Sequence, residues 1–459
     1  MSRRRRRGLS YRLWHGVATR QRFLALTLLC MALAVAVGER SALSIAAPSL
    51  QADLGLTTIE LGWLLSAFAW SYVAAHIPVG IIVEKHGTKR SIGIGIAIGA
   101  LTSLVVAASG LSIFTSSALG IILTARVLLG VAQAPVGSSS GVVMSAWFPR
   151  TERGVAGAVF SSIPYLAVAL LNPLLGYLTE HAGWATMFIG MAAISLFGAY
   201  VWFSIFQLPS GTPRLTAKER RKIEAGGALT SITHSRSLSH APTQSNSVLD
   251  DLKAVFLNPM MGGTVIAQYC INAITWFFLA WFPSYLVMTF DYSIARAAAV
   301  SAIPAIAGFV GGFACGLLSD AILKRTHDLT RARKIPIYMG IGLSSVSFLA
   351  CILTDNDTIA IILMTAAFFG KGLGTLGWTL VADLAPANKV GFTGSVVNGV
   401  GNLSGIFTPV IIGYLIAATH NFDLALVIMA CHGLIAISCH IWLTGTLQRM
   451  PSVQYRNKA

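Results

Sequence analysis

A chain of 459 residues that is 55% hydrophobic and 11% charged, with a mean hydropathy of +0.70, has too few charges to coat a water-soluble surface, where about 25% is usual. A soluble enzyme is excluded on that ground, and a disordered chain is excluded by the high apolar content. The net charge is +16, and eight arginines fall in residues 1–22 with no acid among them. Ahead of an apolar run, such a tail reads as a cytoplasmic anchor facing anionic lipid, not as a nucleic-acid-binding arm.

The basic tail, 1–21, leads into a run that continues past Glu39 and Arg40 with no small-residue cleavage site before a soluble domain, so it is not a removable signal peptide. At about 20 apolar residues per crossing, spans fall near 22–48, 59–83, 91–109, 112–137, 154–178, 184–207, 260–287, 295–323, 335–353, 357–382, 391–418 and 423–446. The prediction is an all-α membrane protein of twelve transmembrane helices. It has two six-helix bundles, 22–207 and 260–446, a cytoplasmic linker at 208–259 and a cytoplasmic tail at 447–459. Within the linker, 216–224 reads as a short charged helix, and the Ser/Thr/His/Gln-rich stretch 230–247 as disordered.

Charge placement supports this order. With the N-terminus inside, 29 of the 33 Lys+Arg lie in cytoplasmic segments, Arg296 lies outside, and Arg40, Arg126 and Lys371 lie within spans. That asymmetry predicts cytoplasmic ends for both termini. Gly95/Gly99 and Gly312/Gly316 offer small faces for close helix packing. The six cysteines all sit in apolar runs with no C-x-x-C or His/Cys cluster, so they read as core thiols with neither disulfide nor metal.

The two halves echo each other. After span two comes Gly80-Ile-Ile-Val-Glu84 with Lys85, Lys89 and Arg90 behind it, and after span eight comes Gly316-Leu-Leu-Ser-Asp320 with Lys324 and Arg325 behind it. An acid there can pair with a base or a helix end and form a breakable latch, giving Gly80, Glu84, Arg90 and Asp320 as candidate gating residues.

Further strings are Arg126-Val-Leu-Leu-Gly130-Val-Ala-Gln133-Ala-Pro135, Trp147-Phe-Pro-Arg-Thr-Glu-Arg-Gly154 and Gly183-Trp184. The second half carries Gln268-Tyr-Cys-Ile-Asn272, Trp276-Phe-Phe-Leu-Ala-Trp-Phe-Pro283, Phe368-Phe-Gly-Lys-Gly-Leu-Gly374, Gly377-Trp378 and Gly401-Asn-Leu-Ser-Gly405. On these the chain, over 22–446, resembles the major facilitator superfamily and, within it, the anion:cation symporter branch. The second half is similar above all to bacterial glucarate/galactarate transporters, with galactonate transporters next. The resemblance implies alternating access in the inner membrane, a substrate held between the halves near the bilayer midplane, a coupled proton, no cofactor, and a monomer.

An ionisable group at mid-membrane costs about 2.5–3.5 kcal/mol on insertion scales, so each asks for a reason. Arg40 and Arg126 sit on spans one and four, which line the first-half cavity in the resembling superfamily, and two planar guanidiniums suit a carboxylate. Tyr72 adds a hydroxyl. Pairing of Arg40 with Glu39 is the competing reading. Lys371 lies two turns before Trp378 in span ten; the hexarate-type pattern has Lys there and the galactonate type a neutral residue. A substrate with a carboxylate at each end would use a cation in each half. Snorkelling or internal pairing of Lys371 is the alternative. Gln268, Trp378 and Asn398 supply polar groups suited to sugar hydroxyls. Asn272, Asn402 and Ser404 lie beside them, with polar packing between helices as the competing role.

Several positions depart from the resembling families: Gln133 replaces a glutamate, Val37 a tyrosine, and Ser161 and Pro164 stand in place of Asn and Gln. Gln133 cannot titrate, which leaves Glu39 as the candidate proton carrier. His76, four residues after Tyr72 on the same helix face, assists it, since histidine ordinarily titrates near pH 6.5. The expected function is uptake of a small organic anion, a sugar acid of the glucarate/galactarate type, with protons. The alternative is a uniporter, exchanger or exporter of another organic carboxylate, followed by a non-transporting membrane sensor. No H-E-x-x-H, phosphate loop or acid pair supports an enzyme.

Overall fold

The computed structural model describes residues 21–111, 113, 117–149, 152–212, 215–228, 248–386 and 390–450; side chains at some helical positions, those of His76, Gly80, Glu84 and Trp378 among them, lie outside the description. The basic tail, the stretch 230–247 and the end past 450 lie outside the described residues as well. No strand occurs among the described residues.

The first half is built from α1 (Gln21–Leu54), α2 (Thr58–His86), α3 (Thr88–Ala108), α4 (Ala118–Trp147) and α5 (Arg153–Ile205). Thr57 starts α2 through a reciprocal cap with Glu60, which satisfies two otherwise orphaned N–H groups. The 53-residue α5 is two helices joined at Gly183, whose φ of 81° is open to glycine without strain. The helix α4 begins six residues later than the sequence predicts and runs ten residues further, through the serine run. The hydroxyls of Ser138, Ser140 and Ser145 are satisfied by carbonyls of their own helix, so this polar stretch stays helical.

The linker contributes α6 (Ala217–Ala225) and α7 (Val248–Leu257), and α6 matches the short charged helix expected. The second half follows as α8 (Pro259–Ala280), α9 (Phe282–Phe290), α10 (Ile294–Val300), α11 (Ala302–Thr326), α12 (Leu329–Cys351), α13 (Asp357–Leu373), α14 (Gly377–Leu384), α15 (Val390–Thr419) and α16 (Asp423–Ser438). A π-turn, Cys439–Leu443, follows α16. Among the described residues, helices or broken helix pairs fall on the expected apolar runs. Among the described residues nine helices are long and apolar enough to cross a membrane, one of them being the folded α5.

The outer surface is apolar: Leu353, Phe197, Tyr200, Phe313 and Trp442 are exposed, as lipid contact demands. Cys431 joins that surface, so only five of the six free cysteines are buried; the face of α16 that carries it points outward. Small residues set the close crossings. A side chain at Gly95 would strike the Ala132 carbonyl and one at Gly99 the Glu39 carboxylate, so the first small face packs as expected. In α11 the packed positions are Gly308 and Gly311, against Phe368 and the Phe369 carbonyl, and Gly316 faces open space.

Gly130 of α4 meets α2 at Ser71 and the Phe68 carbonyl, with Tyr72 N 2.9 Å from where a Cβ would stand. The Ser71 hydroxyl donates to the Val127 carbonyl at 2.6 Å across the same crossing. Gly130→Val is therefore expected to cost about 1–3 kcal/mol by overpacking. Thermal melting in detergent reads this, and an unchanged midpoint would mean that α2 moves aside freely.

Candidate functional site

In the first half, α1, α4 and the second arm of α5 bring a polar cluster into an apolar bundle. Glu39 is 3% exposed. One carboxylate oxygen accepts from Ser195 Oγ at 2.6 Å and the other from Gln133 Nε2 at 2.7 Å. The Gln133 amide also donates to the Ala36 carbonyl at 3.0 Å, and its oxygen accepts from Arg40 Nε at 2.6 Å. Gln133 thus bridges the acid and the guanidinium, and Arg40 is not in an ion pair with Glu39 among the described residues.

Both guanidiniums share an aromatic floor. Arg40 lies 4.6 Å from the Phe68 centroid and 5.0 Å from that of Tyr72, and Arg126 lies 5.6 Å from that of Phe68. Phe68 and Tyr72 stack at 5.1 Å, because they are four residues apart on α2. Arg126 is buried, reaches the Glu39 backbone carbonyl at 3.4 Å, and leaves Nε with no acceptor among the described residues. Two cations on one aromatic floor, neither within ion-pair distance of a carboxylate among the described residues although Glu39 lies near both, can receive an anion.

In the second half, Gln268 donates to Asn272 at 3.0 Å on α8, and Asn402 donates to the carbonyl and side chain of Asn398 at 2.8 and 3.2 Å on α15. Gly401 lets these amide pairs approach: a Cβ there would meet Asn272 Nδ2 at 2.8 Å and Gln268 Cγ at 3.0 Å. Lys371 is 5% exposed, so it does not snorkel to the surface. Its ammonium donates to Tyr165 Oη at 3.1 Å, across the boundary between the halves. Trp276 crosses the same boundary to Phe68, with centroids 6.4 Å apart.

The side chains of His76, Glu84, Gly80 and Trp378 lie outside the described residues. Arg90 and Asp320 are exposed, and neither takes part in an ion pair among the described residues. The ion pairs near the starts of α1 and α12 are instead Arg22 and Lys222 with Glu152, both at 3.2 Å, and Arg333 with Asp383 at 2.8 Å. Each of these joins elements of one half, with α6 pinned onto the first. Among the described residues, contacts between the halves toward the opposite end include Gly62 against the Pro409 carbonyl, Ser44 Oγ to the Ala280 carbonyl at 2.7 Å, and the Ala295 N–H to Glu180 at 2.7 Å.

Ser195, Tyr165 and Trp276 are site neighbours that sequence reasoning did not single out. A serine or tyrosine in an apolar run carries no signal by itself, and their partners lie 156, 206 and about 200 residues away.

The family model of the Major Facilitator Superfamily matches residues 28–409. The "Probable galactarate/D-glucarate transporter GarP" of Escherichia coli (strain K12) is 38% identical over 443 residues, covering 95% of this chain and 97% of that protein. The "Probable galactarate/D-glucarate transporter GudP" of Bacillus subtilis (strain 168) is 37% identical, covering 95% and 94%. The "D-galactonate transporter" of Escherichia coli O6:H1 is 30% identical, covering 94% and 97%. Among solved structures, a bacterial homologue of the human lysosomal transporter Spinster matches with a TM-score of 0.68 at 15% identity, covering 93% of this chain and 97% of that one. The xylose transporter XylE from E. coli matches at 0.68 and 13%, covering 91% and 96%. With a buried cationic surface between two helical bundles and relatives of this kind along nearly its whole length, the chain belongs to the Major Facilitator Superfamily, as a multi-pass membrane transporter and not an enzyme.

Proposed function

We propose that the chain is a secondary transporter of the inner membrane that takes up a hexarate sugar acid, of the galactarate/D-glucarate kind, together with a proton. The observation that carries this reading is the trio of buried or half-buried cations, Arg40 and Arg126 in one half and Lys371 in the other, none ion-paired among the described residues. A dicarboxylate spanning the halves offers each of them a partner, and the amides of Gln268 and Asn398, with Trp378 and Tyr72, serve its hydroxyls. The names of the relatives agree with that chemistry. With twelve spans and both ends in the cytoplasm, the end at which Gly62 meets the Pro409 carbonyl is the outer one. Gly80, Glu84, Arg90 and Asp320 remain the proposed elements of the inner gate, and the monomer is the proposed working unit, surrounded by lipid. Glu39 carries the proton and His76 assists it.

The test is uptake of labelled galactarate, glucarate and their monocarboxylate counterparts into proteoliposomes. No saturable uptake of any sugar acid would remove the reading. Within the same assay, Lys371→Asn is expected to weaken hexarate uptake by about tenfold, near 1.4 kcal/mol, and that of the matching monocarboxylate less. Equal loss for both would assign Lys371 to helix packing.

A further inference from the structure

A cavity of about 200 Å³ lies between the halves, walled by Tyr165 and Val168 of α5, Phe278 of α8, Phe282 of α9, Ala305 of α11 and Phe368 of α13. Its position is fixed by the stripe 161, 165, 168, 172 and 176 of α5, spaced three and four residues apart and so on one helix face. That face meets the second half along its length. Tyr165 reaches Lys371, Asn172 donates to Ser301 Oγ at 3.0 Å, and Gly176 packs against Ala298. The cavity therefore opens on the boundary between the bundles and not on the lipid face.

Its walls offer little to a polyol. Thr275 and Ser301, which also line it, direct their hydroxyls to nearby backbone carbonyls, Ile271 of the same helix at 3.4 Å and Ala298 at the end of α10 at 2.7 Å. Apart from the Ser161 and Tyr165 hydroxyls, a sugar hydroxyl placed here would find little to replace its water. Pro164, another lining residue, adds no side-chain hydrogen-bonding group. Four aromatic rings surround a space larger than the roughly 150 Å³ apolar cavity that admits benzene. Lys371 does not itself line the cavity but touches two residues that do: its ammonium lies 5.5 Å from the ring centroids of both Tyr165 and Phe368, with Tyr165 Oη as its hydrogen-bond acceptor.

We infer that this cavity is a second binding subsite, which takes the ring of an aryl carboxylate whose carboxylate group sits on Lys371. The inference rests on the proposed role of Lys371 as a carboxylate ligand, and it makes aryl carboxylates competitors of the hexarate at that cation.

The purified chain in detergent is titrated with labelled galactarate, with 3-phenylpropionate, and with 3-phenylpropanol, which has the ring without the charge. The expected result is that 3-phenylpropionate displaces galactarate saturably and 3-phenylpropanol does not. Ala305→Leu and Val168→Phe, which fill the cavity, each lower the affinity for 3-phenylpropionate by about tenfold relative to that for galactarate, near 1.4 kcal/mol. Galactarate bound normally and untouched by 3-phenylpropionate overturns the subsite and leaves the transport reading standing. Direct, cavity-sensitive binding of 3-phenylpropionate without any galactarate binding keeps the subsite and removes the hexarate reading. Equal loss of both ligands on filling, or binding of neither, overturns the subsite. Should both filled variants fail to fold, Lys371→Met carries the decision: undiminished 3-phenylpropionate binding overturns the proposal.

Discussion

Arg126→Lys is expected to lower the rate of galactarate uptake by about tenfold or more, a loss of at least about 1.4 kcal/mol of binding or transition free energy. The reason is geometric. Arg126 is held by the Glu39 carbonyl on one side and the Phe68 ring below, with Nε meeting no acceptor among the described residues. A planar fork so placed can grip a carboxylate through two parallel bonds, whereas an ammonium offers one point charge on a flexible stem. The variant keeps the charge, so electrostatic attraction alone would preserve uptake. Initial rates over a range of galactarate concentrations, normalised to reconstituted protein, read the effect. Near-normal uptake with unchanged apparent affinity would take Arg126 out of the site.

The second large effect is on proton movement. Wild-type vesicles are expected to acidify inside when galactarate is added outside, and Glu39→Gln is expected to abolish that signal while keeping counterflow exchange. An amide at position 39 can still accept from Gln133 Nε2 through its oxygen, while its NH2 donates to the Ser195 hydroxyl, which can reverse its role and accept, so the helix packing of this cluster survives the change. It cannot take up a proton. His76→Gln, run beside it, is expected to slow the proton signal without removing it. Substrate entry into wild-type vesicles with no proton movement would refute symport and make the chain a uniporter or exchanger.

The charges were the legible part of the site. Glu39, Arg126 and Lys371 announce themselves because an ion inside an apolar run needs a partner, and the structure buries all three between helices. The departure at Gln133 was equally plain, yet its position between Glu39 and Arg40 was not, because three residues on two helices must be seen together. Tyr165 and Trp276 were invisible as site residues for a different reason. Aromatic side chains are ordinary lining for membrane helices, and only the crossing of α5 with the second half turns one of them into a ligand for Lys371. The fold followed the same division: hydropathy located the long apolar helices, whereas the linker helix α7, the start of α4 and the choice of Gly308 and Gly311 for the α11 contact were not read from it.

The amide at position 133 bears on how far a gradient can be built. A hexarate carries two negative charges, and with Glu39 as the sole proposed proton carrier the loaded transporter admits one net negative charge per turn. At an interior potential of −100 mV that charge is opposed by about 2.3 kcal/mol, while one inward proton down a unit of pH returns only about 1.4 kcal/mol. A cycle with one proton therefore cannot concentrate a dianion against a resting potential of that size; it runs inward only while the cell keeps the free interior level several-fold below that outside. Collapsing the voltage with a potassium ionophore should accelerate entry, whereas a carrier moving two protons would be indifferent to it. If Glu39 alone carries the proton, Gln133 thus makes the chain a device whose yield is set by how quickly its cargo is consumed.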